Sequence, residues 1–122
     1  MTLQGPLPGS SGLKDSALRG SLGKNIPAPM AKEFFETICR HEHVRIERIV
    51  SWGQASPEGF WFDQADNEFV LLIEGRAALK FENEAETVVL EAGDYLDIKA
   101  HVRHRVEWTA AEGATIWLAV FY

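Results

Sequence analysis

The chain has 122 residues and 13.7 kDa, room for one domain. Its 46% hydrophobic and 25% charged residues are those of a soluble globular chain and exclude wholesale disorder, collagen and simple repeats. A formal net charge of −6 would repel a phosphate backbone, no apolar run approaches the ~20 residues of a membrane helix, and the N-terminus lacks the apolar core of a secretion signal. Neither nucleic acid nor a membrane is an expected partner. Cys39 stands alone, which removes an internal disulfide and a thiolate zinc cluster and makes a reducing cytoplasm the expected location.

Residues 1–30 are rich in Gly, Ser and Pro, with isolated leucines at Leu3, Leu7, Leu13, Leu18 and Leu22, and read as a flexible arm preceding a domain over 31–122. Lys14, Arg19 and Lys24 outnumber Asp15 there, so the acidic excess belongs to the domain. From 31 to 40, Phe34, Phe35, Ile38 and Cys39 recur at helical spacing with Lys32, Glu33, Glu36 and Arg40 opposite, which predicts one short amphipathic helix. Arg40 and His41 would then sit at its C-terminus as favourable charges, with His43 just beyond.

Downstream the period shortens. Strands are predicted at about 43–51, 68–74, 76–81, 86–90, 95–98, 102–109 and 114–121, separated by Gly53, Pro57, Gly59, Gly75, Asn83, Gly93 and Gly113. Such short connections favour antiparallel pairing, and an all-β sandwich or barrel follows. Residues 69–73 and 116–121 are apolar at both parities, so both faces of those strands need covering, one of them by the helix, the arm or a second subunit. A homodimer is the expectation.

The polar residues that interrupt this pattern cluster, with Asp63, Gln64 and Glu68 before one apolar strand and His101 and His104 before Val106. The pattern resembles the cupin superfamily, whose two motifs can be laid across residues 53–108. Glu68-Phe69-Val70-Leu71-Leu72-Ile73-Glu74-Gly75 is similar to the first, a glutamate followed by a glycine; Gly93-Asp94-Tyr95-Leu96-Asp97-Ile98-Lys99-Ala100-His101-Val102-Arg103-His104 is similar to the second, with Lys99 where a proline is usual. Upstream of Glu68, where metal-binding cupins carry two histidines, this chain has Trp61 and Asp63, or Phe62 and Gln64. The segments around residues 56–64 and 104–109 look like those of small stand-alone cupins without an assigned reaction. The resemblance implies a double-stranded β-helix, or jelly-roll barrel.

Alternation along a strand puts Val102, His104 and Val106 on one face and Arg103 and Arg105 on the other. If Trp61 and Asp63 share an inner face, Asp63, Glu68 and His104 converge as a candidate site for a divalent ion such as iron, manganese, zinc or nickel, with Gln64 or His101 as substitutes. Two converging carboxylates repel unless a cation or a proton intervenes. Without a metal, Glu68 and His104 remain as a buried hydrogen-bonded pair or an acid/base pair, as in metal-free epimerases of the superfamily. Trp52, Phe60, Trp61, Phe62, Trp108 and Trp117 supply core and, in part, a pocket for a small organic ligand; Arg103 and Arg105 either hold an anion at its mouth or answer Glu107 on the surface. No phosphate loop, serine elbow or paired-cysteine motif is present, so no nucleotide cofactor is expected.

Overall fold

A computed structural model describes residues 2–3, 11–13 and 17–122. Eleven strands follow in order: β1 (Thr2–Leu3), β2 (Ser11–Leu13), β3 (Ala17–Arg19), β4 (Phe34–Arg40), β5 (Arg45–Ser51), β6 (Glu68–Glu74), β7 (Arg76–Phe81), β8 (Thr87–Glu91), β9 (Tyr95–Ile98), β10 (His104–Thr109) and β11 (Thr115–Phe121). They form a six-stranded sheet in the order β1-β4-β5-β11-β6-β9, a three-stranded sheet β10-β7-β8 and the separate pair β2-β3. Pairing is antiparallel throughout. Among the described residues no helix is long and apolar enough to cross a membrane.

The helix expected over 31–40 is replaced by β4. Phe34, Phe35, Thr37 and Ile38 have aromatic or β-branched side chains that suit a pleated surface, and ten residues are too few to hold a helix without strong packing on one face. Pairing with β5 decides the matter: it sets Glu36 against Arg48, whose Nε lies 2.8 Å from Glu36 Oε1 with both side chains almost fully buried. The charges read as a solvated helix face are therefore partly an internal ion pair. His41 and His43 lie in the exposed β4–β5 hairpin, where the His41 amide donates to the Val44 carbonyl at 2.7 Å, and not beside a helix terminus.

The large and small sheets face each other. Ile49, Val70, Leu72, Trp117, Ala119 and Phe121 from one meet Ala77, Leu79 and Leu90 from the other in a single core. Gly75 makes the crossover between sheets. Its φ is +91°, and a Cβ there would lie 2.8 Å from Thr115 Cα and 2.5 Å from Thr115 Oγ1, so a side chain is refused by both backbone and space.

The central strands β6 and β11 are covered differently on their two faces. Inward residues are buried, whereas Phe69, Leu71, Leu118 and Val120 on the outer face are only half-buried. Part of this outer face meets residues 18–22 across a groove bordered by Ile38, Ile46, Arg48 and Leu118. Arg48 donates to the carbonyls of Lys24 at 2.8 Å, Asn25 at 3.3 Å and Leu22 at 3.4 Å, tying that segment to β5. Of the arm expected over residues 1–30, positions 1, 4–10 and 14–16 lie outside the described residues.

Candidate functional site

Between the two sheets lies a cavity of about 270 Å³. Its wall is largely apolar, from Ile49, Val70, Leu79, Ile98 and Val106, and four rings line it, the buried Trp117 and Phe121, the half-buried Phe62 and the exposed Phe35. Strand parity places its polar fixtures. Glu68 opens β6 on the same face as Val70 and Leu72, and opposes Phe121 on one side and Ile98 on the other. His104 opens β10 on the face of Val106, is paired with Phe81, and forms a bridge with Phe62 in which the Phe62 amide donates to the His104 carbonyl at 2.7 Å.

His104 is held on every side. Its ring stacks near Phe62 at 5.5 Å and Phe81 at 6.1 Å between centroids, and its Nδ1 donates to the Val102 carbonyl at 2.8 Å. That bond leaves Nε2 toward Glu68, whose Oε1 is 3.4 Å away and also accepts the Gln64 amide at 2.9 Å. Both side chains are nearly buried, at 5% and 12% exposure. A bare Nε2 lone pair facing a carboxylate is repulsive, and a proton turns the contact attractive. Burial pulls the His104 pKa down, but the Glu68 carboxylate and the Val102 carbonyl together outweigh it and hold it above the ordinary 6.5.

Asp63 is not brought to this pair. Phe62 and Gln64 face the cavity instead of Trp61 and Asp63, a one-residue difference in register that turns every side chain to the other face. Asp63 Oδ1 meets His101 Nδ1 at 2.8 Å outside the cavity, where both are substantially exposed. His101 adopts φ +63°, and its amide donates to the Gln64 carbonyl at 2.7 Å, which fixes it on the outer side of the loop. Arg103 pairs with Glu82 at 2.8 Å, and Arg105 donates to the carbonyls of Ser56 and Pro57, so neither guards the mouth.

Three cavity residues carry chemistry that the sequence did not single out. Arg45 lies 4.2 Å over the Phe121 ring and donates from Nε to Glu47 at 2.8 Å. Glu33, just before β4, accepts a hydrogen bond from Ser51 Oγ, which in turn accepts the Trp117 indole N–H at 3.2 Å. Burial raises the Glu33 pKa above 4.5 despite the opposing Ser51 bond. A strand reading of 33–40 would have put Glu33 and Phe35 on one face; the helix reading hid that parity. Of the six rings singled out in the sequence, Phe62 and Trp117 line the cavity, while Phe60 and Trp108 are exposed.

The donor set does not make a three-ligand metal centre. Around His104 a single carboxylate stands with the neutral Gln64 amide, Glu68 Oε1 is shared between Gln64 and His104, and the cavity's other carboxyls are engaged by other groups, Glu47 by Arg45 and Glu33 by Ser51. Among the described residues no group of three or more His, Cys, Asp or Glu is placed to hold an ion.

The Cupin domain profile matches residues 53–121, more than half of the chain. The chain belongs to the cupin family. It is a small single-domain cupin, 40% identical to a crystal structure named as a "putative mannose-6-phosphate isomerase" from Ralstonia eutropha JMP134, with a TM-score of 0.82 over 84% of this chain and 95% of that one. A cupin superfamily protein of Desulfitobacterium hafniense DCB-2 matches at 18% identity and TM-score 0.64, over 79% of this chain and 82% of that one. The Fe(II) form of HppE matches at 19% and 0.62, over 74% and 50%. At these lower identities the likeness is one of fold. Among curated proteins none matches the chain.

Proposed function

We propose that this cupin binds a small organic molecule between its sheets and exchanges a proton with it through His104 and Glu68. The observation that carries this reading is the buried His104–Glu68 contact at 3.4 Å on the wall of an apolar cavity, with His104 Nδ1 already committed to a carbonyl. Such a site, mostly apolar with a few convergent polar groups, is the usual form of a small-molecule pocket. Protonated, His104 is an acid beside its own counter-ion; once it has given up the proton, Nε2 is a base that the carboxylate favours re-protonating. Isomerisation, the reaction in the name of the Ralstonia relative, also moves a proton, and the pair supplies that much of it. The proton-exchanging pair is preferred to a metal centre because Asp63, the third candidate ligand, is engaged by His101.

The test uses benzyl alcohol, a neutral probe that a cavity of about 270 Å³ should admit, since smaller engineered cavities bind benzene. Saturable shifts of the His104 and Trp117 ring signals in NMR spectra are expected, and Val106→Trp, which fills the cavity, should remove them. Unmoved signals up to the probe's solubility limit would overturn the reading.

A second copy of the chain is proposed as the cover for the outer face of β6 and β11, where Phe69, Leu71, Leu118 and Val120 form adjoining apolar rows.

A further inference from the structure

We infer that the molecule held in the barrel is a small organic cation, an ammonium on an apolar or aromatic body, with Glu33 as its counter-charge. The inference rests on the ligand-binding reading above and adds the sign of the ligand's charge. It follows from pairing the charges that line the cavity. Glu47 is matched by Arg45 at 2.8 Å, and Glu68 by His104 at 3.4 Å. Among the described residues Glu33 has only neutral partners, the Ser51 hydroxyl and, through it, the Trp117 indole. One carboxyl is therefore left over in a mostly apolar space, where an unpaired charge is costly and a partner of opposite sign is strongly favoured.

The rings answer to the same ligand. Phe35 follows Glu33 by two residues on the cavity side, and Trp117 and Phe121 lie on the same inner face of β11. Aromatic faces attract cations, Trp most of all, and desolvation strengthens the attraction. Phe121 already demonstrates this with the Arg45 guanidinium 4.2 Å above it. An anion meets the opposite case. A phosphate needs free guanidinium or ammonium donors, yet Arg45 is occupied by Glu47 and Phe121, while Arg103 and Arg105 are engaged elsewhere. A sugar phosphate, the substrate class in the name of the Ralstonia relative, would bring two negative charges to a wall that holds three carboxyls.

The experiment compares four probes by calorimetric titration of the full chain: benzylammonium, benzyl alcohol, benzoate and mannose 6-phosphate. Benzylammonium should bind at least tenfold more tightly than benzyl alcohol, and the two anions more weakly than the alcohol. Glu33→Gln, which keeps the Ser51 contact, should bring the ammonium to the alcohol's affinity. Should that variant fail to fold, the carboxyl carbon signal of Glu33 in the unsubstituted protein should shift saturably as benzylammonium is added, and by more than it shifts with benzyl alcohol. Alcohol and ammonium binding equally, or either anion binding best, would overturn this inference while leaving the pocket a ligand site. Binding by none of the four would overturn both.

Discussion

At the scale of single residues, His104 carries the site's response to pH. Its folded-state pKa lies above the ordinary 6.5, so the contact with Glu68 adds stability that is fully present below that value and is lost as the pH rises through the folded value. The midpoint of urea unfolding is expected to fall between about pH 6 and about pH 8, and Glu68→Gln should flatten that slope. A midpoint that rises over this range would contradict the pairing. Gly75 gives a second contrast. Gly75→Ala meets strain and a backbone atom at 2.8 Å, whereas Gly93→Ala, with φ +94° and nothing within 4 Å, meets strain alone. The Gly93 change should cost about 1–3 kcal/mol, and the Gly75 change clearly more, read from denaturant midpoints. Glu68 and Gly75 were both legible in the sequence because they bound the segment that resembles the first cupin motif, and the positive φ of Gly75 is the physical reason for a glycine at that crossover.

At the scale of elements, the strands from β5 onward follow their sequence pattern closely, since Gly75, Gly93 and Gly113 mark turns and alternation marks faces. β4 does not. Phe34, Phe35, Ile38 and Cys39 satisfy a helical period and a strand equally, and what selects the strand is a neighbour twelve positions away, Arg48 against Glu36. That tertiary contact is invisible to any local window. The same ambiguity concealed Glu33, and a one-residue register difference exchanged Asp63 for Gln64 at the cavity wall. Glu36→Ala strips the nearly buried Arg48 of its carboxylate, and the three carbonyls of residues 22, 24 and 25 cannot replace a charge. A loss of about 3–5 kcal/mol is expected in chemical denaturation. A loss under about 1 kcal/mol would mean that the pair is solvated, as surface pairs are.

At the scale of the whole molecule, two features of the sandwich have different consequences. The outer face of β6 and β11 keeps apolar rows only partly buried, and sedimentation at tens of micromolar, an order of magnitude suited to stable dimers, should return a dimer that Leu118→Glu converts to monomer. A monomer before substitution would refute self-association. The inner faces bring β6 and β10 from opposite sheets to one cavity, and there a carboxylate and an imidazole distant in sequence become a nearly buried pair. The most direct test of that pair is an NMR titration of the His104 ring from about pH 5 to about pH 9, the range around an ordinary histidine pKa, in protein purified without chelator or affinity nickel. A single transition above 6.5 that moves down in Glu68→Gln is expected. A ring that does not titrate, as an imidazole bound to a metal would not, or a transition below 6.5 that Glu68→Gln leaves in place, would contradict it.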